Sequence, residues 1–132
     1  MSQTPPMRSA LGRVRGHGAG HGGTDHFIGQ RLSALALLLL TPWFVVSAAL
    51  SMPGPSYVAA IDFLSQPVNA VGVILLIGAA IYHMCIGAQE IVEDYITKPL
   101  TKTLLLAVNT LLGIALAAAA VFAVLNINFS GV

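Results

Sequence analysis

A single histidine, His83, stands near the end of a long apolar run, and Glu90, Glu93, Asp94 and Tyr95 follow within a few helical turns. An ionisable side chain inside a membrane segment costs about 2.5–3.5 kcal/mol on insertion scales, so it is seldom there without a partner or a task. An imidazole in that setting can bind iron through a ring nitrogen, relay a proton, or donate to a carbonyl of a neighbouring helix. The acids and Tyr95 lie next to Lys98. They read either as a solvated helix end at the water boundary or as a site in which the Tyr95 hydroxyl donates to a quinone carbonyl while an acid manages protons. Spacing leaves both readings open.

The element that carries His83 narrows the chemistry. At about 100° per residue, Gly72, Leu76, Ala79, Ala80, His83, Gly87, Glu90 and Asp94 fall on one side of a helix. Small residues let another helix or a flat ligand come close to the backbone. The pattern suits a porphyrin wedged between helices, with imidazole on iron and basic groups near its propionates; it equally suits a plain helix contact. One histidine does not supply two axial ligands, so a haem here requires a second ligand from another chain. Arg31 opens the preceding apolar run on the same side of the membrane as Glu90, where it can meet lipid headgroups, snorkel into water, or neutralise an anionic cofactor group.

Composition fixes the class: 56% of residues are hydrophobic and 8% charged, against about 25% charged in a soluble domain. The 132 residues have room for three spans of about 20 residues each and for no soluble catalytic domain. A lone cysteine, Cys85, can form no internal disulfide and reads as a small packed residue.

Residues 1–25, with Arg8, Arg13, Arg15 and the run GHGAGHGG, read as a flexible, water-exposed arm. His17 and His21 are a weak metal pair in so glycine-rich a stretch. Residues 26–132 form the membrane part, with spans over about 27–51, 67–96 and 100–127. Thr24 or Asp25 is placed to cap the first span, Pro42 removes a donor near its middle and should bend it, and Met52-Pro53-Gly54-Pro55 ends it. Pro67 suits the first turn of the second, and the alanines at 117–120 suit close packing in the third. All six basic residues, Arg8, Arg13, Arg15, Arg31, Lys98 and Lys102, lie in the arm, at the start of the first span or near the second loop. The positive-inside rule then sets the N-terminus inside and the C-terminus outside.

Four features give the chain a familiar look: Ser9-Ala10-Leu11-Gly12, the approach to the first span from His26-Phe27 to Gln30-Arg31, the His83-x-x-x-Gly87 pattern, and Asp94-Tyr95-x-x-Lys98-Pro99 ahead of the third. In this order and spacing the chain resembles the smaller of the two hydrophobic membrane anchors of succinate dehydrogenase, the succinate:quinone oxidoreductase of respiratory complex II. The resemblance implies an all-α integral membrane protein, half of a two-subunit anchor bundle that docks a flavoprotein and an iron–sulfur protein. The succinate oxidation itself then belongs to other polypeptides, and this chain is a non-catalytic part of an oxidoreductase. It further implies that His83 is an axial ligand of a haem b shared with the second, larger membrane anchor. Tyr95 is implied to hydrogen-bond ubiquinone with Asp94 in the same pocket, and Arg31 to lie near the haem propionates and the quinone. The absence of a clear transit peptide favours a bacterial inner membrane over a mitochondrial one. Two other classes compete: a cofactor-free structural or assembly protein of three spans, and a component of a proton-coupled transporter using His83 and Glu90 as a relay.

Overall fold

The computed structural model describes residues 21–52 and 54–130, with side chains from 24 to 129. The described residues form helices and connections without a strand. They are α1 (His21–Ser51), α2 (Tyr57–Ser65), α3 (Pro67–Tyr95) and α4 (Pro99–Ser130). Three helices are long and apolar enough to cross a membrane, over Thr24–Ser51, Pro67–Tyr95 and Pro99–Phe129. Most of the arm lies outside the described residues, as does His17 of the weak metal pair. The helix starts upstream of Thr24 and Asp25, so neither caps it. Their amides lie in or past its first turn, where the chain is already helical and a side-chain cap has no place. Pro42 sits within the continuous α1; its missing N–H leaves the Leu38 carbonyl without an intrahelical donor.

The centre of the bundle is α3, which packs against α1 on one side and α4 on the other. Both pairs are antiparallel. Trp43 meets Gly72 while Ser33 meets His83, and Lys102 donates to the Glu93 carbonyl while Gly113 lies against Cys85. In a bilayer, lipid tails are as apolar as leucine, so close packing and hydrogen bonds rather than hydrophobic burial hold such helices together. Both devices are visible. At Gly72 the Trp43 indole occupies the space a Cβ would need, and at Gly113 the Cys85 sulfur does the same. Asn109 Nδ2 donates to the Cys85 carbonyl at 2.9 Å. The intimate contact of α4 is thus made at Gly113, while Ala118 and Ala119 of the alanine run are exposed.

The short helix α2 lies in the first loop, a connection to which hydropathy assigns no span. Ser56 caps it, its Oγ accepting from the Ala59 amide at 3.1 Å, and Ala59 and Phe63 are buried one turn apart. Its last carbonyls take donors from elsewhere: Asn69 Nδ2 donates to Phe63 O at 3.1 Å, and Asn128 Nδ2 to Leu64 O at 3.1 Å and Ser65 O at 2.9 Å. Around it gathers the buried apolar cluster of Ala48, Phe63, Ala70, Val73 and Val124, with Phe44 edge-on to Phe63 at 6.1 Å. The apolar core therefore occupies the α2 end of the bundle. Toward the opposite end Ile86 is buried against Gly29, and side-chain hydrogen bonds join α1 to α3.

Candidate functional site

At that end, one face of α1 and one face of α3 meet through side chains that carry chemistry. Along α1 the residues are His26, Gln30 and Ser33, spaced by four and three so that they stack on one side. Along α3 they are His83 and Glu90, spaced by seven. Gly29 lies four residues before Ser33 on the same helix, and a Cβ there would strike the Tyr82 hydroxyl. This small-x-x-x-small pair lets the backbones close on each other.

Among the described residues Ser33 is the buried polar residue, 5% exposed. Its Oγ donates to the Gln30 carbonyl at 3.0 Å and lies 2.9 Å from His83 Nδ1. Nothing among the described residues hydrogen-bonds His83 Nε2. Nearer the helix ends, Gln30 Nε2 donates to Glu90 Oε2 at 2.9 Å, and the other carboxylate oxygen lies 3.5 Å from His26 Nδ1. His26 Nε2 is buried without a partner among the described residues. The result is a continuous polar seam from Glu90 through Gln30 and Ser33 to His83.

The structure brings some of the sequence candidates together and keeps others apart. His83 and Glu90 both face α1, as the helix-face argument requires. Arg31 does not join them: it follows Gln30 by one residue and precedes Ser33 by two, which turns it about 200° from Ser33 around α1. Its guanidinium lies 5.1 Å from the Phe27 ring centroid. Tyr95, 79% exposed, ends α3 and lines a shallow open depression with Ile96, Thr97, Lys98 and Thr101. Asp94 is exposed on the preceding position and is not part of that lining. Sequence reasoning misses Ser33 and Gln30 as site residues, although each is a polar residue on the His26 stripe of α1.

A haem that takes one axial ligand from each of two chains needs from this one an imidazole with a free nitrogen and room for a flat ring. The seam supplies the first through the Ser33 contact. For the second, a Cβ at Gly87, one turn from His83, would meet no heavy atom within 4 Å. A groove of about 770 Å³ between α1 and α3 runs past Ser33, Ala36, Ala79 and Tyr82, but neither His83 nor Gly87 lines it. Among the described residues no three His, Cys, Asp or Glu side chains converge as a metal cage would require; a group asking one ligand of this chain fits the donor set.

Comparison with known proteins adds independent information. Residues 2–125 match the model of a family described as the succinate dehydrogenase/fumarate reductase transmembrane subunit. A protein of Rickettsia bellii named succinate dehydrogenase hydrophobic membrane anchor subunit is 28% identical over 107 residues, covering 80% of this chain and 85% of its own. The protein of the same name from Paracoccus denitrificans is 27% identical over 119 residues, 90% of this chain and 91% of its own. No solved structure gives a significant match.

Proposed function

This chain belongs to the succinate dehydrogenase/fumarate reductase transmembrane subunit family, and from that premise we propose that it is one half of the two-part membrane anchor of a succinate dehydrogenase. In this role it docks the flavoprotein and iron–sulfur subunits on the inner face of the membrane and helps to hold haem b and ubiquinone. The observation that carries the reading is the family match over nearly the whole chain, residues 2–125. Large apolar side chains stay uncovered along all three spans, including Leu39 at 73% and Phe122 at 73% exposure. Lipid and a second membrane anchor are the covers this reading provides. The relatives come from bacteria, which supports a bacterial inner membrane, and the six basic residues support an inside N-terminus.

In this proposal His83 would hold the haem iron together with an imidazole of the other anchor, and bound haem would supply a one-electron carrier. The chain's own work is positional. Ser33 orients the imidazole, Gly87 leaves space beside it, and the apolar walls of the spans keep water away. Tyr95 is assigned to the quinone carbonyl and Asp94, the exposed residue before it, to the quinone site by the resemblance, although it does not line the depression that holds Tyr95. A Tyr95 O–H donor strengthens its bond as negative charge builds on the quinone oxygen, which favours reduction. Arg31 pairs with no carboxylate among the described residues and lies on the face of α1 turned away from Ser33, so its assignment to the vicinity of the propionates and the quinone rests on the resemblance alone.

Purification of the tagged chain from its membrane in mild detergent tests the proposal. The flavoprotein, the iron–sulfur protein and the second anchor should copurify, with a reduced b-type band that disappears in His83→Ala. Recovery of the chain alone, with neither haem nor those proteins, would return it to the cofactor-free or transporter class.

A further inference from the structure

We infer that Ser33 is a positioning residue that fixes the tautomer of His83, presenting Nε2 as an unprotonated donor; the inference rests on the haem-ligand reading proposed above. The count of protons and lone pairs decides the tautomer. A serine hydroxyl has one proton and two lone pairs. The Ser33 proton has a carbonyl in front of it, Gln30 O at 3.0 Å, and a carbonyl oxygen can only accept. With the proton so committed, Ser33 Oγ turns a lone pair to His83 Nδ1 at 2.9 Å, and that contact is a hydrogen bond only if Nδ1 carries the hydrogen. A neutral imidazole protonated at Nδ1 is unprotonated at Nε2, the nitrogen that nothing among the described residues engages.

Metal-ligating histidines almost always donate their other ring N–H to an oxygen, which sets the tautomer, holds the ring plane and makes the ligand more basic. Ser33 is built for that task in three respects. It is 5% exposed, so water does not compete for the bond. It stands on a different helix from His83, so the bond locks the ring relative to the bundle. Its own orientation is held by the backbone of α1 through the bond to the residue three positions earlier, which needs no further side chain.

The test uses the purified complex with three variants. Ser33→Ala removes the acceptor while keeping a small residue at the helix contact; Ser33→Thr keeps the hydroxyl; His83→Ala removes the ligand. In Ser33→Ala the haem should bind about 10–100-fold more weakly, measured as transfer to an excess of apomyoglobin. Its midpoint potential should rise, because a less basic imidazole stabilises the ferric iron less, and the low-spin ferric EPR signal should shift as the ring plane is freed. Ser33→Thr should restore all three. A Ser33→Ala complex with unchanged haem retention, potential and EPR signal, in a preparation where His83→Ala has lost the b-type band, would overturn the role of Ser33 and leave the ligand reading intact. A band that survives His83→Ala would overturn the ligand reading itself, and this inference with it.

Discussion

The Trp43 indole lies where a side chain at Gly72 would have to go, closing α1 onto α3 near the apolar core. Three of its ring carbons crowd the position of the missing Cβ. The tryptophan and the glycine are one device: bulk on one helix, absence of bulk on the other.

Gly72→Leu therefore forces the indole out of the contact and separates the helices at that level. Overpacking of this kind costs about 1–3 kcal/mol. The expected result is a lowered midpoint in detergent unfolding, followed by tryptophan fluorescence, since Trp43 is the sole tryptophan in the chain. An unchanged midpoint would mean that the contact yields freely.

Asn128 donates to two carbonyls at the end of α2 and so ties the last turns of α4 to the first loop. Asn128→Leu should destabilise the bundle by about 0.6–1.7 kcal/mol, the range for interhelical hydrogen bonds in membrane proteins. Hydrogen exchange of the α2 amides should quicken, while exchange at the Ser33–His83 end stays the same. Uniform quickening across all helices would show that α2 is not a separately held unit.

Gln30 and Glu90 form the outermost bond of the polar seam, at 2.9 Å. The Glu90 side chain is 42% exposed, so a double-mutant cycle with Gln30→Ala and Glu90→Ala should give a coupling of only about 0.2–1 kcal/mol. Zero coupling would show that the Gln30–Glu90 bond contributes nothing to this end of the bundle, which would then be held by Ser33, His83 and the Gly29 contact with Tyr82.

On the proposed quinone role, Tyr95→Phe removes a hydroxyl and little else, because the side chain is 79% exposed. Loss of one hydrogen bond to the reacting oxygen, about 0.5–1.5 kcal/mol, should lower quinone reductase activity about two- to tenfold. Succinate oxidation with a soluble artificial acceptor should persist. Equal loss of both activities would remove Tyr95 from the quinone site.

The sequence by itself determined the membrane class and the three long helices, because hydropathy over some twenty residues is a local quantity that the bilayer reads directly. It also placed His83 and Glu90 on one helical face, since helix geometry alone settles that. Even α2 left a local trace, in a serine followed three residues later by the amide it caps and in the spacing of Ala59 and Phe63. What the fold alone decided was partnership between helices. That Ser33 rather than Arg31 meets His83, and that Gly113 rather than the alanine run receives α3, depends on the rotation of each helix about its axis. In a uniformly apolar span neither hydropathy nor spacing encodes that rotation. It is set when a few small residues let two backbones approach and the scarce polar groups find each other.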